Sequence, residues 1–333
     1  MYSIGIDLHK RDLVMAIEDE SGPVGRPRRF VCRDEAAILR HVALHRPFRA
    51  VIEASASYRW LYERLAPMGE VVLAHPLRLR ASIARPAKTD KLDAALLARL
   101  LKMDQIPESY VPPERYQQLR ELTRARARLS RAATEAKNLL YHVLAARNVP
   151  LRYRRPFGPR GRRWMSALDL GFSGNLQRDE LLRRLEHYEA ERRVLDEALE
   201  KMSADYPEME ALEGIRGLAT YRRLLVIAEL GEPERFGRGG QVGSYAGLAA
   251  RVHQSGGHDY HGHITRQGSP WLRWALVQAA IQAIRGDQKL ANFYERVRKR
   301  SSRHIARVAV ARKLAVICWV RLRRWHREHP AAK

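Results

Sequence analysis

The apolar residues of this chain change their period at Pro112-Pro113: before it they alternate with polar residues or run in short blocks, and after it they return every seven residues. A period of two fits a strand and one near 3.5 fits a helix seam, so the two stretches require different layers. In the first, "YSIGID" and "LVMAIED" read as strands joined by a short polar turn, and "RRFVC" as a third. "DEAAILRHVALH" reads as a helix with Asp34 placed to cap it, "RAVIEAS" as a strand, "YRWLYERLAPMG" as a helix closing at Gly69, and "EVVLAH" as a strand. Strands first, then strand and helix in turn, predict a mixed α/β sheet covered by helices over residues 1–110.

In the second stretch Leu122, Leu129, Ala136 and Val143 recur at heptad steps beside Leu119, Ala133 and Leu140, and Leu181, Tyr188, Leu195 and Met202 repeat the pattern beside Leu185 and Leu199. Two such helices predict an all-α coiled coil over residues 111–207, either an antiparallel hairpin or, as their length favours, a contact between subunits. Their connection, "VPLRYRRPFGPRGRRW", is rich in Pro, Gly and Arg and is expected to be mobile and to face nucleic acid. A mainly helical third domain is expected over residues 208–333, opening with "LEGIRGLATYRRLLVIAELG", where the Gly214–Gly217 turn resembles a helix-hairpin-helix element able to grip a phosphate. Any glycine turn between helices gives a similar pattern.

Charge narrows the partners. Lys and Arg number 61 against 37 Asp and Glu, a formal net charge of +24, which argues for a polyanion, most simply nucleic acid. A GC-rich genome that inflates Arg is the alternative. Cys32 and Cys318 stand far apart and outside any CxxC pattern, so neither a disulfide framework nor a thiolate zinc site is implied. The most apolar late stretch, "VAVARKLAVICWV", is broken by Arg312 and Lys313 and too short to cross a bilayer, so a soluble, cytoplasmic protein is expected.

Within so basic a chain the acids of the first hundred residues stand out. Asp7 ends an apolar strand in "IGIDLHK", and Glu53 repeats the anomaly in "AVIEAS". A carboxylate at the edge of a buried sheet is costly to keep charged unless a cation meets it. For Asp7 a capping role, or the phosphate-loop aspartate of an actin-like ATPase, are alternatives, although the bulky basic "LHKRDL" lacks the Gly and Ser/Thr-rich loop of such ATPases. Asp90 and Asp93 in "KTDKLDAALLARLL" share one side of a helix start, with Leu92, Leu96, Leu97 and Leu100 read as its inward face. Helix-start aspartates also serve the dipole, and a lone Glu53 fits a surface role. Together, two acids on strand ends and two on a helix start suit a pair of Mg²⁺ ions able to hold the attacking and leaving oxygens of a phosphodiester, the layout of an RNase H-like nuclease core.

"YSIGIDLHK", "VIEASASY", "KTDKLDAALLARLL", "LEGIRGL", "GSYAGLAARVHQSG" and "ITRQGSPWLRWALVQAA", in this order and spacing, resemble the DEDD transposases of the insertion-sequence one-ten family. The resemblance runs from about residue 2 to 320. It implies a RuvC-like amino-terminal domain whose metal-site acids are Asp7, Glu53, Asp90 and Asp93, and a carboxy-terminal domain in which Ser255 attacks DNA and forms a phosphoserine link. It also implies a bridge RNA pairing with element-end and target DNA, and dimers assembling into tetramers in which RuvC-like domains join serine domains of partner subunits. The sequence departs from the family pattern at Ser55 and Ala56, where Thr-Gly is common, at Ala250, where Pro is common, and at Ser269, where Asn is frequent. None of these removes an acid or the serine.

Read by itself, Ser255 lies among glycines, with Arg251 and His253 before it and Arg266 and Arg273 after. A Ser-Gly turn explains the same residues. No Asp-His-Ser arrangement is readable, so activation by metal at the acid cluster is the economical mechanism for a serine hydroxyl, a poor nucleophile at neutral pH. His258, His261 and His263 lack the cysteines or matching acidic pair of a zinc site and are assigned to the loop or to phosphate contact. Candidate nucleic-acid contacts are Lys88 and Lys91 beside the aspartates, Arg160, Arg162 and Arg163 in the connection, Arg216 in the glycine turn, and Arg251, Arg266 and Arg273 around the serine. Two rival readings stay open: a RuvC-like junction nuclease using water, and a non-catalytic nucleic-acid binder.

Overall fold

The computed structural model describes residues 1–55, 57–82, 90–255 and 258–330, with the backbone alone at 81–82, 252–255 and 258–262. Lys88 and Ala56 lie outside the described residues. The chain forms two compact units, Met1–Val111 and Pro112–Lys333.

The first unit follows the period-two pattern closely. Strands β1 (Tyr2–Leu8), β2 (Asp12–Asp19), β3 (Gly22–Pro23) and β4 (Arg28–Val31) precede helix α1 (Glu35–Ala43), strand β5 (Phe48–Glu53), helix α2 (Tyr58–Leu65), strand β6 (Glu70–Ala74), and helices α3 (Pro76–Ser82) and α4 (Asp90–Lys102). The sheet order is β3-β2-β1-β5-β6, with β4 also paired to β2. β1 runs antiparallel to β2 and parallel to β5, and β5 runs parallel to β6. Asp34 caps α1 as expected, accepting the Ala37 amide at 3.1 Å.

Alternation along the strands assigns two faces. Ile4 and Ile6, Leu13, Met15 and Ile17, and Ile52 point to one side and pack with Ile38, Val42, Leu61 and Leu65 of α1 and α2. Val14 and Ala16 pack with Ala94 and Ala98 of α4 on the other side, and Val51 packs there with Leu97 and Leu101. With period two, Gly5 and Asp7 of β1 and Glu53 of β5 share this α4 face. Gly5 is what lets the helix approach. A Cβ built there falls under 3.0 Å from the Ala94 carbonyl oxygen and the Ala98 amide nitrogen, so helix backbone lies directly on strand backbone. This corrects the inward face read from the leucines: Leu92 is 48% exposed, and Ala94, Leu97, Ala98 and Leu101 are the buried residues, because alanines permit the closer approach.

The second unit starts with α5 (Glu114–Ala145), followed by α6 (Pro159–Ser166) and α7 (Gly171–Met202). Then come α8 (Thr220–Leu230), α9 (Gly239–Tyr245), strands β7 (Ala250–Ser255) and β8 (His258–Ile264), and helices α10 (Pro270–Gly286), α11 (Gln288–Arg300) and α12 (Arg303–Glu328). α5 and α7 pack antiparallel within the chain: Arg126 meets Asp196 at 2.7 Å, Lys137 meets Glu189 at 3.2 Å, and Leu140, Val143 and Leu144 cluster with Leu181, Leu182 and Leu185. Where the sequence predicts a mobile connection, α6 instead docks on this hairpin through the fully buried Met165. A second core joins Leu199, α8, α10 and α12 around Leu224, Leu276 and Leu314. The segment from Gly214 to Gly217 is a turn with φ of 73° and 92° at those glycines, entered from a 3-10 helix (Pro207–Leu212) rather than from an α-helix.

Candidate functional site

The ladder between β1 and β5 pairs Gly5 with Val51 and Ile6 with Ile52, so Asp7 and Glu53 are the next residues along two adjacent parallel strands. α4 begins at Asp90, one turn before the Ala94 that rests on Gly5, and so carries Asp90 and Asp93 to the same end of the sheet. All four acids act on one point: burial raises the pKa of the Asp7 carboxyl, His9 opposes the rise, and Asp90, Asp93 and Glu53 each add to it. Asp7 is only 9% exposed, the most buried of the four. A carboxylate there has lost water among three further acids, and His9 offsets that penalty only in part, which is the state a bound metal ion relieves.

Two residues not singled out in the sequence complete the surroundings. His9 Nε2 lies 3.2 Å from Asp7 Oδ2 and 3.4 Å from Asp90 Oδ1. Arg29, on β4, pairs with Asp12 and donates to Asp90 Oδ2 at 2.6 Å. Partial desolvation works against the charge on Asp90, yet His9 and then Arg29 together hold its carboxyl below the ordinary carboxylate range. The donor atoms of Asp7, His9 and Asp90 all lie within 4.8 Å of one another, a cluster fit for an ion. Oxygen donors dominate the set, which suits a hard divalent cation. His9 follows Asp7 by two residues in a turn and carried no pattern of its own. Arg29 becomes visible only when β4 pairs with β2.

Ser255 ends β7, paired in register with His258 of β8. This two-stranded hairpin stands where the sequence predicts a loop among helices; its side chains from 252 to 255 and 258 to 262, those of Ser255, His258 and His261 included, lie outside the described residues. Its base is described in full. Thr265 donates its amide to the Ala249 carbonyl at 2.8 Å, Ser269 to the Tyr245 carbonyl at 2.9 Å, and Arg273 reaches the Ala246 carbonyl at 3.2 Å. Gly268, at φ 118°, has no room for a Cβ against the Tyr245 carbonyl. Ser269 caps α10 by accepting the Leu272 amide at 3.1 Å and donates to the fully buried Glu229 at 2.8 Å, which in turn holds Arg124 through both oxygens at 2.6 and 2.9 Å. Glu229 is a third residue that sequence reasoning passed over, since "VIAELG" reads as an ordinary helix end.

The candidate cations divide by exposure. Lys91, Arg160, Arg163, Arg216, Arg251 and Arg266 are exposed, as is His263. Arg162 is half-buried, donates to the Phe157 carbonyl at 2.7 Å and pairs with Glu189. Arg273 is half-buried at the hairpin base, and burial first, then Arg266, draws its pKa down. Arg273 Nη1 also lies 3.4 Å from the Arg266 carbonyl oxygen.

Sequence comparison decides the family. Residues 209–295 match the sequence model described as "Transposase IS116/IS110/IS902 family", and residues 4–147 match the DEDD transposase model of the IS110 type. Together these take in more than half of the chain. The chain belongs to the IS110 family of transposases.

Relatives of this IS110-family chain extend along nearly its whole length. It is 26% identical to a "Probable family 20 transposase" of Pseudomonas aeruginosa, over 96% of each chain. It is 24% identical to the "Transposase for insertion sequence element IS1328" of Yersinia enterocolitica, over 95% of each. With the "Transposase for insertion sequence element IS1111A" of Coxiella burnetii it shares 25% identity over 96% of this chain and 89% of that one. The DEDD match contains Asp7, His9, Arg29, Glu53, Asp90 and Asp93, and the other contains Glu229, Ser255 and Ser269. Among the described residues, no helix of this family member is long and apolar enough to cross a membrane.

Proposed function

We propose that this chain is a metal-dependent DNA recombinase. It cuts and rejoins DNA at insertion-sequence ends and target through a serine-linked intermediate, at an acid site holding two Mg²⁺ ions and guided by a structured bridge RNA. The observation that carries the reading is the gathering of the buried Asp7 with Asp90 around His9, their donor atoms within 4.8 Å of one another, at the sheet end where Glu53 and Asp93 also stand. The strand order, antiparallel on one side of β1 and parallel on the other, supports an RNase H-like, RuvC-like domain over residues 1–110. Residues 111–207 form the coiled-coil domain and residues 208–333 the serine domain, with a helix-hairpin-helix-like element around Gly214.

Bound divalent ions supply positive charge to the scissile phosphate and to the oxygens that attack and leave. Asp7, Glu53, Asp90 and Asp93 hold that charge in place, and the backbone contact at Gly5 fixes the distance from α4 to β1. The Ser255 hydroxyl oxygen attacks phosphorus, the 3′ oxygen departs with a proton, and Ser255 keeps the 5′ phosphate. Attack by another 3′ hydroxyl then reseals the strand and frees the serine, so that no ATP is consumed. Lys88, Lys91, Arg160, Arg163, Arg216, Arg251 and Arg266 hold phosphate directly, and Arg162 and Arg273 contribute charge from behind. The protein works in the cytoplasm as a homodimer that assembles to a tetramer on DNA and RNA.

The test is a denaturing gel of the purified protein with Mg²⁺, its flanking-sequence RNA and end-labelled element-end DNA. Wild type should give a protein-linked DNA band that Ser255→Ala and Asp7→Ala both lose. Cleavage that survives Ser255→Ala points instead to a nuclease that uses water, and an absence of cleavage under every condition leaves a nucleic-acid binder.

A further inference from the structure

We infer that His9 is a nitrogen ligand of the metal centre, completing one face of it with a single oxygen from each of Asp7 and Asp90. The inference rests on the metal reading above and adds the ligand set and the preferred ion. His9 Nε2 stands 3.2 Å from Asp7 Oδ2 and 3.4 Å from Asp90 Oδ1. A ring nitrogen carries at most one proton, directed along one line, whereas two carboxylate oxygens here face the same atom. Two donors at right angles, each about 2.1 Å from an octahedral ion, lie roughly 3 Å apart. The observed spacings therefore match two edges of a coordination octahedron.

The surroundings fix which oxygens take part. Arg29 occupies Asp90 Oδ2 at 2.6 Å and is itself tied to Asp12, so Asp90 offers the ion Oδ1 alone. His9 sits in a tight turn between β1 and β2, where its amide donates to the Asp12 carbonyl at 2.9 Å, and this anchors the base of the side chain. The ring is 47% exposed on its outer side, which leaves the ion an open approach and room for water or phosphate as further ligands. Glu53 and Asp93 remain as oxygen donors on the same face. Imidazole strengthens binding of first-row transition ions relative to Mg²⁺, so this centre prefers Mn²⁺ to Mg²⁺ more strongly than four carboxylates would.

The experiment loads the full-length protein with less than one equivalent of Mn²⁺, without DNA or RNA, and reads it by pulsed electron paramagnetic resonance and by competition with Mg²⁺. Wild type should show ¹⁴N modulation from a coordinated imidazole. His9→Asn should lose that modulation, bind Mn²⁺ at least about tenfold more weakly, and show a smaller preference for Mn²⁺ over Mg²⁺. Bound Mn²⁺ without ¹⁴N modulation in wild type, or modulation that survives in His9→Asn, overturns the inference. Asp7→Ala keeps the two levels apart. If it abolishes Mn²⁺ binding while wild type lacks the nitrogen signal, only His9 is misassigned; if it binds as tightly as wild type, the metal reading falls as well.

Discussion

The acid end of the sheet and the serine hairpin are built on opposite principles. The acids sit where a buried sheet meets a helix, and the fold tolerates an unfavourable charge on Asp7 to keep them together. The hairpin is two strands rooted on helices, and its buried charge, Glu229, lies at the root, satisfied by Arg124 and Ser269. One region leaves the charge of its buried carboxylate only partly offset by His9, and the other meets it with a bidentate Arg124 and the Ser269 hydroxyl. A buried acid is thus a candidate binding site in the first case and a foundation in the second, and the difference lies in its neighbours rather than in its burial.

The largest expected effect falls on the acid region. Gly5→Val places side-chain carbon where the Ala94 carbonyl already stands, so urea unfolding of the first unit should show a loss of about 3 kcal/mol or more, with cleavage abolished and the second unit still folded. Next, Arg124→Met strands the Glu229 carboxylate and should cost the second unit about 3–5 kcal/mol. Mn²⁺ binding at the acids should be unchanged, and an equal loss of binding would break the contrast between the regions.

Asp7→Asn sharpens it in the other direction. Because the folded protein holds the Asp7 pKa above its unfolded value, the folded state takes up the extra proton as pH falls through that interval. The penalty is therefore absent below the unfolded pKa, grows as pH rises through the folded one, and is complete at neutral pH. Without divalent ions at pH 7, Asp7→Asn should melt at a higher temperature than wild type and yet cut no DNA. Mg²⁺ should then raise the Tm of wild type and leave the variant's nearly unchanged. The smallest effect concerns the cations: Arg160→Ala should lower the slope of log affinity against log salt by about 1. Arg162→Ala should leave that slope alone and lower the Tm instead, since this side chain pairs with Glu189.

How much of this was legible follows the same division. The strands of the first unit were readable from their period, and Asp7 and Glu53 from the anomaly of a charged residue ending an apolar strand, whereas Asp90 and Asp93, ordinary at a helix start, stood out only in company with those two. Gly5 and His9 were not, since their roles depend on which helix lands on which strand. The heptads announced α5 and α7 but not that they pair within one chain, and Met165 and α6 were hidden in an Arg-rich connection whose composition suggests mobility. The β7–β8 hairpin was missed because glycines and histidines mask alternation, so Ser255 is singled out by the family resemblance and not by its own surroundings.

The contact at Gly5 also bears on how such a protein decays. Every single-base change in a glycine codon that alters the residue adds a Cβ, and none fits beneath α4. A mobile element passes through many copies that nothing maintains, and at most positions drift wears activity down by degrees. At codon 5 there is no shallow slope: the first replacement should lift the helix that carries two of the four acids and, on the mechanism proposed above, silence that copy in one step.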